Sequence, residues 1–279
     1  MGQSWFAWNG IDCRAMGITL AGPVPIVRPE ERVEHVTIPG RPGELTITEG
    51  DDIYQSYIQS AEIQVRGGYR VRDVYNWLKG AGEVVFHGEP EKKQKARIIG
   101  AVTLEKHSRN LDIWTGSVQF YCEPFKMLLN STTIEALAYS TSKKYAVGDL
   151  CIYSGGVYRC TTAITSGETW TSGHWESLSG VPARNAGDIP ALPQMIVTAS
   201  GTTMGIAAGG KLLTITGTTA NTVYTVDCDS RKVMHMSSGT LVDDTKLTNG
   251  PWPQLLPGNN NVTGSGWSSI VIDRRERFL

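Results

Sequence analysis

"VEHVTIPGRPGELTITEG", residues 33–50, alternates apolar and polar side chains on both sides of a Pro-Gly-Arg-Pro-Gly segment. Alternation with a period of two is typical of β-strands, and a centre rich in Gly and Pro is typical of the turn between two strands. The stretch therefore predicts a β-hairpin whose turn lies at Pro39–Gly43.

The same alternation extends through the first half of the chain. Further strands are predicted at 61–67, 82–88, 96–106 and 112–123. One helix interrupts them, because Val71, Val74, Tyr75 and Leu78 form one apolar stripe and Gly80 can end it. The charged run 89–97 predicts a solvated loop. Residues 1–128 are thus expected to form a β-sandwich or barrel that carries a single helix.

A second hairpin is predicted at residues 147–160, "VGDLCIYSGGVYRC". A two-residue turn at Gly155–Gly156 provides the positive φ angles that tight hairpins require. This turn places Tyr153 opposite Tyr158 and Cys151 opposite Cys160. The odd number of scattered cysteines favours reduced thiols, with a Cys151–Cys160 disulfide as the minor alternative.

The hairpin lies in a segment of about forty residues with its own aromatic side chains. These are Tyr139, Tyr145, Tyr153, Tyr158, Trp170 and Trp175. Polar segments at 130–133 and 179–187 predict linkers on both sides. From residue 181 onward, short strands recur at the spacing of an all-β sandwich. Three parts are therefore expected, with bounds 1–130, 138–180, and 181–279 together with 131–137.

Composition excludes several classes of function. The chain has 26 basic and 27 acidic residues, so it lacks the positive charge that binds nucleic acid. Its first residues do not form a signal peptide, and no apolar run approaches the roughly 18 residues of a membrane span. We therefore expect a protein made in the cytoplasm whose partners are proteins or uncharged ligands.

The sequence contains none of the common catalytic or phosphate-binding motifs. Asp227 and Asp229 could suggest Ca²⁺, but no further acidic ligands accompany them, so a solvated turn is predicted. No cofactor or metal is expected, and the chain is not predicted to be an enzyme. A wall-degrading glycosidase would have to take its carboxylates from unmarked positions.

Several short patterns, in order, resemble the distal tail protein (Dit) family of long-tailed bacteriophages. They are "WFAWNGIDCRAMGI" (5–18), "RPEERVEHVTIPGRPGELTI" (28–47), "VQFYCEPF" (118–125), "NAGDIPALPQMIVTASG" (185–201) and "WPQLLPGNNNVT" (252–263). The resemblance implies a ring-forming N-terminal domain and a galectin-like C-terminal β-sandwich. It also implies a homo-hexamer in the virion, at the distal end of the tail. Its expected partners are the tail tube protein, a tail-tip (tail-associated lysin-like) protein and receptor-binding proteins.

Residues 145–178 resemble a small chitin-binding-type carbohydrate-binding module. The matching positions are Tyr145, Gly148, Asp149, Tyr153, Gly155, Tyr158 and Trp175. The chain departs from that pattern at Cys151 and Cys160, which replace apolar or small residues, and at Tyr139, where Trp is common. The usual proline before the last tryptophan is also missing.

The resemblance implies binding of a host-surface glycan through aromatic side chains, because the C–H face of a pyranose stacks on a flat ring. The candidate glycan-binding residues are Trp170, Tyr139 and Tyr145, while Tyr153, Tyr158 and Trp175 are expected to fill the core of the module. The favoured interpretation is a hub protein of a phage tail, with an inserted module that the hub does not need for its own fold. The alternative is a free lectin-like carbohydrate-binding protein.

Overall fold

The computed structural model describes residues 4–48, 50, 52–107 and 109–279. The chain divides into two compact units, one formed by Met1–Asn130 with Phe278–Leu279 and the other by Ser131–Arg277. The described part of the chain is mainly β and contains one α-helix, so the predicted fold class is confirmed. Each unit has its own buried core.

The first unit consists of nine strands, the helix α1 and one turn of 3-10 helix, followed by the last residues of the chain. Its elements are β1 (Phe6–Trp8), β2 (Ile11–Asp12), β3 (Ile18–Leu20), β4 (Val33–Thr37), β5 (Glu44–Thr48), β6 (Tyr57–Arg66), the 3-10 turn Gly68–Arg70, α1 (Val71–Trp77), β7 (Ala81–Phe86), β8 (Lys92–Lys106) and β9 (Ile113–Leu128). Seven of these strands form one sheet in the order β2-β1-β7-β8-β9-β6-β3. The predicted strands therefore exist, and several extend beyond their predicted ends.

The core of the first unit follows from the alternation along its strands. Ala61, Ile63 and Val65 point inward from β6, while the residues between them face outward. Phe6 packs edge-to-face on Phe120, with ring centroids 5.2 Å apart. These side chains and others of the same sheet form a single buried cluster.

The helix contributes the stripe that the sequence predicts, although it is shorter than expected. Val74 is fully buried, and the Leu78 N–H donates to the Val74 carbonyl at 2.8 Å just after the helix ends at Trp77. Tyr75 is 39% exposed, and its hydroxyl accepts a hydrogen bond from the Leu104 N–H. The stripe therefore buries Val74 and Leu78, leaves Val71 half-buried and leaves Tyr75 partly in solvent.

The charged run 89–97 is not the predicted loop, because β8 already begins at Lys92. The Glu89 carboxylate lies 2.6 Å from Lys92 Nζ and 2.7 Å from Lys126 Nζ, and Lys126 is buried. Burial acts to raise the pKa of Glu89, but hydrogen bonds from the two lysines outweigh it and hold this pKa below its usual value. One local and one long-range ion pair of Glu89 thus allow a charged segment to enter the sheet.

Strands β4 and β5 form a separate two-stranded ribbon, which confirms the hairpin at Pro39–Gly43. The register places Val36 opposite Leu45 and Glu34 opposite Ile47, so these four residues share one face. Leu45 is 37% and Ile47 is 43% exposed. Within the described residues, the ribbon pairs with no third strand. One face of the ribbon, apolar except for Glu34, is therefore partly exposed to solvent.

The second unit contains two sheets. Its strands are β10 (Thr133–Ala138), β11 (Leu150–Tyr153), β12 (Gly156–Cys160), β13 (Trp175–Leu178), β14 (Val181–Asn185), β15 (Gln194–Ala199), β16 (Thr203–Ala208), β17 (Lys211–Thr216), β18 (Val223–Asp227), β19 (Lys232–Ser237), β20 (Thr240–Asp243), β21 (Thr248–Asn249), β22 (Gly258–Ser265) and β23 (Trp267–Asp273). The last strand of the chain is β24 (Arg277–Phe278), which pairs with β9. A nine-stranded sheet has the order β13-β12-β11-β10-β23-β15-β18-β19-β20, and a five-stranded sheet has the order β14-β22-β16-β17-β21. Buried side chains from both sheets form one cluster, as in a sandwich.

Of the two polar segments that the sequence marks as linkers, 130–133 enters a strand only at its last residue, whereas most of 179–187 forms a strand of this sandwich. Thr133 begins β10, and residues 181–185 form β14, which pairs with β22. Val181, Ala183 and Asn185 of β14 are buried. The Asn185 side chain donates to the carbonyls of Ile189 and Leu255. The linker interpretation of residues 179–187 is therefore wrong, because polar side chains here satisfy buried backbone groups.

Candidate functional site

The predicted hairpin of the central segment is formed by β11 and β12, but its turn lies one residue earlier than expected. Ser154 and Gly155 occupy the turn with φ of 48° and 80°, the positive values of a type I′ turn. Gly156 is a strand residue, and a Cβ at this position would lie 2.9 Å from the Tyr158 ring. Ser154 adopts the left-handed conformation at the first turn position, so the turn does not need Gly156. Glycine is needed at 156 for another reason, because the Tyr158 ring lies too close for a side chain there.

The shift of the turn changes every cross-strand pair. Cys151 lies opposite Tyr158 rather than Cys160, and Tyr153 lies opposite Gly156. Cys160 pairs instead with Trp175 of β13. The predicted pairs Tyr153–Tyr158 and Cys151–Cys160 are therefore wrong, because each residue of β11 lies opposite a β12 residue two positions earlier than predicted. Both cysteines are free thiols.

The two faces of the hairpin belong to different cores. Ile152 and Val157 are buried in the cluster between the two sheets of the second unit. Cys151 and Cys160 point to the other face, into a small aromatic cluster. Because β11 also pairs with β10 in parallel, the hairpin continues the large sheet rather than standing beside it.

Three aromatic rings of the second face form a column. Trp170 stacks on Tyr153 with a centroid distance of 4.0 Å and an interplanar angle of 9°. Trp170 is also near-parallel to Trp175, at 5.2 Å and 14°. Such close parallel contacts are typical of offset-stacked rings. The indole of Trp170 thus lies between a ring of β11 and a ring of β13.

Three tyrosines complete the aromatic cluster. The ring of Tyr139 is perpendicular to Trp170 at 5.0 Å, and it stacks on Tyr145 at 5.5 Å. Tyr158 meets Trp170 at 4.8 Å with an angle of 69°. These edge-to-face contacts hold the column from the side and fix the rotation of the Trp170 ring.

Hydrogen bonds fix the loop that carries Trp170. The Tyr139 hydroxyl donates to the Glu168 carbonyl at 2.8 Å. The Glu168 carboxylate lies 2.8 Å from His174 Nδ1, so an ion pair or hydrogen bond closes the loop around the tryptophan. The Tyr145 hydroxyl accepts a hydrogen bond from the Ser140 N–H at 2.8 Å. The loop is therefore held by its own polar groups as well as by ring contacts.

The cluster contains neutral side chains. Burial raises the pKa of the Tyr139 and Tyr145 hydroxyls, so both stay protonated at neutral pH. Burial, together with the nearby Cys160, raises the pKa of the Cys151 thiol to about 12. These side chains of the cluster are thus uncharged at neutral pH, while Lys143 Nζ lies 5.3 Å from the centroid of the Tyr145 ring.

The structure brings the three predicted glycan-binding residues into this one cluster, in different environments. Trp170 and Tyr139 are half-buried, whereas Tyr145 is only 3% exposed. Tyr153, assigned to the core from its strand position, is half-buried at the outer end of the column. The position of Tyr153 in the column depends on the register of β11 and β12, and that register depends on where the turn lies. The strand position of Tyr153 alone could not predict it.

Among residues 4–48, 50, 52–107 and 109–279, no three His, Cys, Asp or Glu side chains converge in a way that could hold a metal ion. The same residues include no helix with the length and apolar character needed to cross a membrane.

Comparison with known proteins gives one family match and several similar folds. Residues 138–178 match the model of carbohydrate-binding module family 5/12. No curated protein matches the chain.

The Dit protein (gp 19.1) of phage SPP1, described as a paradigm of the hub adsorption apparatus in phages that infect Gram-positive bacteria, has a similar crystal structure. The TM-score is 0.66 at 16% identity, over 100% of both chains. A chain of the phage P2 baseplate, in its activated conformation with Ca, matches with a TM-score of 0.50 at 10% identity, over 100% of both chains. The predicted resemblance to Dit, with an inserted carbohydrate-binding-type module, is confirmed at the level of fold and family model.

Proposed function

We propose that this protein is a structural hub of a phage tail, and that its aromatic module binds a glycan of the host surface. The observation that carries the proposal is that a hub-protein fold extends over the whole chain and contains a carbohydrate-binding-type module. The role is assembly and adhesion rather than catalysis. We propose that the protein lies at the distal end of the tail, between the tail tube protein on one side and the tail-tip and receptor-binding proteins on the other.

The open ribbon of β4 and β5 supports assembly of the first unit into a ring. An isolated two-stranded hairpin is at best marginally stable in water. Val36, Leu45 and Ile47 form an apolar face on this ribbon, and two of them are more than a third exposed. We propose that a neighbouring copy covers this face, and that a closed ring of six copies covers every ribbon.

Electron microscopy of virions that carry the protein, and of the purified chain, tests the ring. The variant Leu45→Glu/Ile47→Glu places charges on the apolar face and is expected to abolish rings. Leu212→Glu is the matched control, because Leu212 is 51% exposed on the second unit. Virions without a sixfold ring of this protein, or rings that form equally well with the double variant, would contradict the proposed assembly.

The aromatic cluster supports the proposed glycan binding. A pyranose offers an apolar C–H face to an aromatic ring, and Trp170 and Tyr139 are half-buried in loops at the surface of the module. Tyr145 lies beneath Tyr139 as its stacking partner. We propose that Tyr145 contributes by orienting Tyr139, and that six modules on one ring convert weak single contacts into useful avidity.

Retention on immobilised polysaccharides tests this part of the function. Purified protein is passed over chitin, cellulose, galactan and isolated host cell wall, with and without competing soluble oligosaccharide. We expect retention on at least one of these polymers that the matching oligosaccharide abolishes. Absence of retention on all of them, host wall included, would refute the glycan-binding role while leaving the hub role untouched.

A further inference from the structure

The order of the rings in the aromatic column decides which ring face a ligand can reach. Tyr153 belongs to β11 and lies beside the turn, whereas Trp175 belongs to β13 and pairs with Cys160 at the far end of β12. The two residues therefore start from opposite corners of the three strands. Trp170 enters between them and is near-parallel to both.

Both faces of the Trp170 indole are consequently covered by protein. If Tyr153 and Trp175 stacked on the same face of Trp170, at centroid distances of 4.0 Å and 5.2 Å, their rings would overlap each other. They therefore lie on opposite faces of the indole. Trp175 is 8% exposed and forms the inner end of the column. A sugar that stacked on Trp170 would have to displace a neighbouring aromatic ring.

Tyr153 is different, because only one of its faces is used in the stack. Its ring contacts are the parallel one with Trp170 and a perpendicular one with Tyr139 at 5.7 Å. The residues next to it in the chain, Ser154 and Gly155, are exposed. The second face of the Tyr153 ring is thus the end of the column that meets solvent.

We propose that Tyr153, rather than Trp170, provides the stacking surface for the ligand, an inference that rests on the proposed glycan binding. Trp170 is then a positioning residue that holds the Tyr153 ring rigidly from behind. Rigid support favours affinity, because a ring fixed before binding loses little rotamer freedom on binding.

The shape of the platform also selects the ligand class. One phenol ring accommodates one pyranose unit, and the stacked face of the sugar must carry only C–H groups. An axial substituent on that face would project into the ring plane. The ligand class is therefore a neutral pyranose with at least one face free of axial substituents, such as a glucose or N-acetylglucosamine unit.

Binding of soluble cello-oligosaccharide and chitin oligosaccharide to the full chain, measured by calorimetry, tests the platform. Tyr153→Phe keeps the ring and is expected to bind like the wild type. Tyr153→Leu keeps apolar volume against Trp170 but loses the flat face, and we expect about tenfold weaker binding, or about 1.4 kcal/mol. Tyr153→Trp enlarges the platform and is expected to strengthen binding, which a purely structural role would not produce.

Tyr69→Ala is the control for loss of an exposed tyrosine, since Tyr69 is 75% exposed on the first unit. Near-ultraviolet circular dichroism of each variant reports whether the aromatic cluster is intact. Wild-type affinity in folded Tyr153→Leu would overturn the platform assignment. If Tyr153→Leu loses the aromatic signal, the comparison of Tyr153→Phe with Tyr153→Trp decides, and equal or weaker binding by the tryptophan variant overturns it. Wild-type protein that binds no oligosaccharide and no polymer refutes the glycan function itself, a distinct result.

Discussion

Replacing Ile152 by Ala tests whether the aromatic module and the sandwich of the second unit fold as one body. The sequence predicts a self-sufficient insertion, which would confine the damage to the module. In the structure the Ile152 side chain is 6% exposed and lies in the core between the two sheets. We therefore expect the variant to destabilise the whole second unit.

The magnitude follows from the cavity that the substitution leaves. Ile→Ala in a well-packed core costs about 2–5 kcal/mol of unfolding free energy. Ile196→Ala is a matched control, because Ile196 is on a strand of the same sheet but 44% exposed. Both substitutions carry the same loss of strand propensity, which is at most about 1 kcal/mol. Their difference isolates the contribution of core packing, which we expect to be about 2 kcal/mol or more.

Hydrogen exchange of peptides from β15 and β23, strands of the sandwich distant in sequence from the module, is the assay. A loss of about 2 kcal/mol speeds exchange about 30-fold where exchange reports the opening equilibrium. The control should leave these rates within a few-fold of wild type. If Ile152→Ala speeds exchange only in β11 to β13, while β15 and β23 keep wild-type protection, the module is autonomous and the reasoning fails.

Three further outcomes are expected. Trp170→Ala removes the middle ring of the column. We expect the unfolding free energy to fall by about 2 kcal/mol or more and the near-ultraviolet circular dichroism signal to be lost. An unchanged thermal transition would contradict the packing of Trp170 between two rings. Burial acts to raise the pKa of Asp227, but hydrogen bonds from backbone N–H groups and the ion pair with Arg275 outweigh it and lower the pKa below its usual value. The ionised Asp227 carboxylate therefore stabilises the fold above its unfolded pKa of about 4, and this stabilisation is lost as pH falls through the lower folded value. Asp227→Asn should lower the melting temperature at neutral pH, and the melting temperatures of variant and wild type should converge in acid. A difference in melting temperature that does not depend on pH would contradict this role of the carboxylate. Burial raises the pKa of the Cys122 and Cys228 thiols to about 12, so native protein should resist iodoacetamide and denatured protein should react, as mass spectrometry would show.

Local pattern determined the class of the fold. Alternation along 33–50 and 61–67, and the stripe that includes Val74, depend only on the geometry of a strand or a helix, so the hairpin, the strands and the helix could be predicted. The aromatic composition of the central segment likewise indicated a small cluster that could stack on sugars. These properties need no knowledge of what lies across the sheet.

The tertiary structure decided which partners each side chain has. The turn lies at Ser154–Gly155, one residue earlier than predicted, because a serine accepts a positive φ that the sequence pattern assigned to glycine. This moves the β12 partner of each β11 residue by two positions. It also decided that Ile152 joins the sandwich core. The faces of Trp170 are covered because Tyr153 and Trp175 arrive from different strands, and the buried charges around Lys126 find partners far away in sequence. Which face of a ring stays open depends on residues distant in the chain, and no local pattern carries that information.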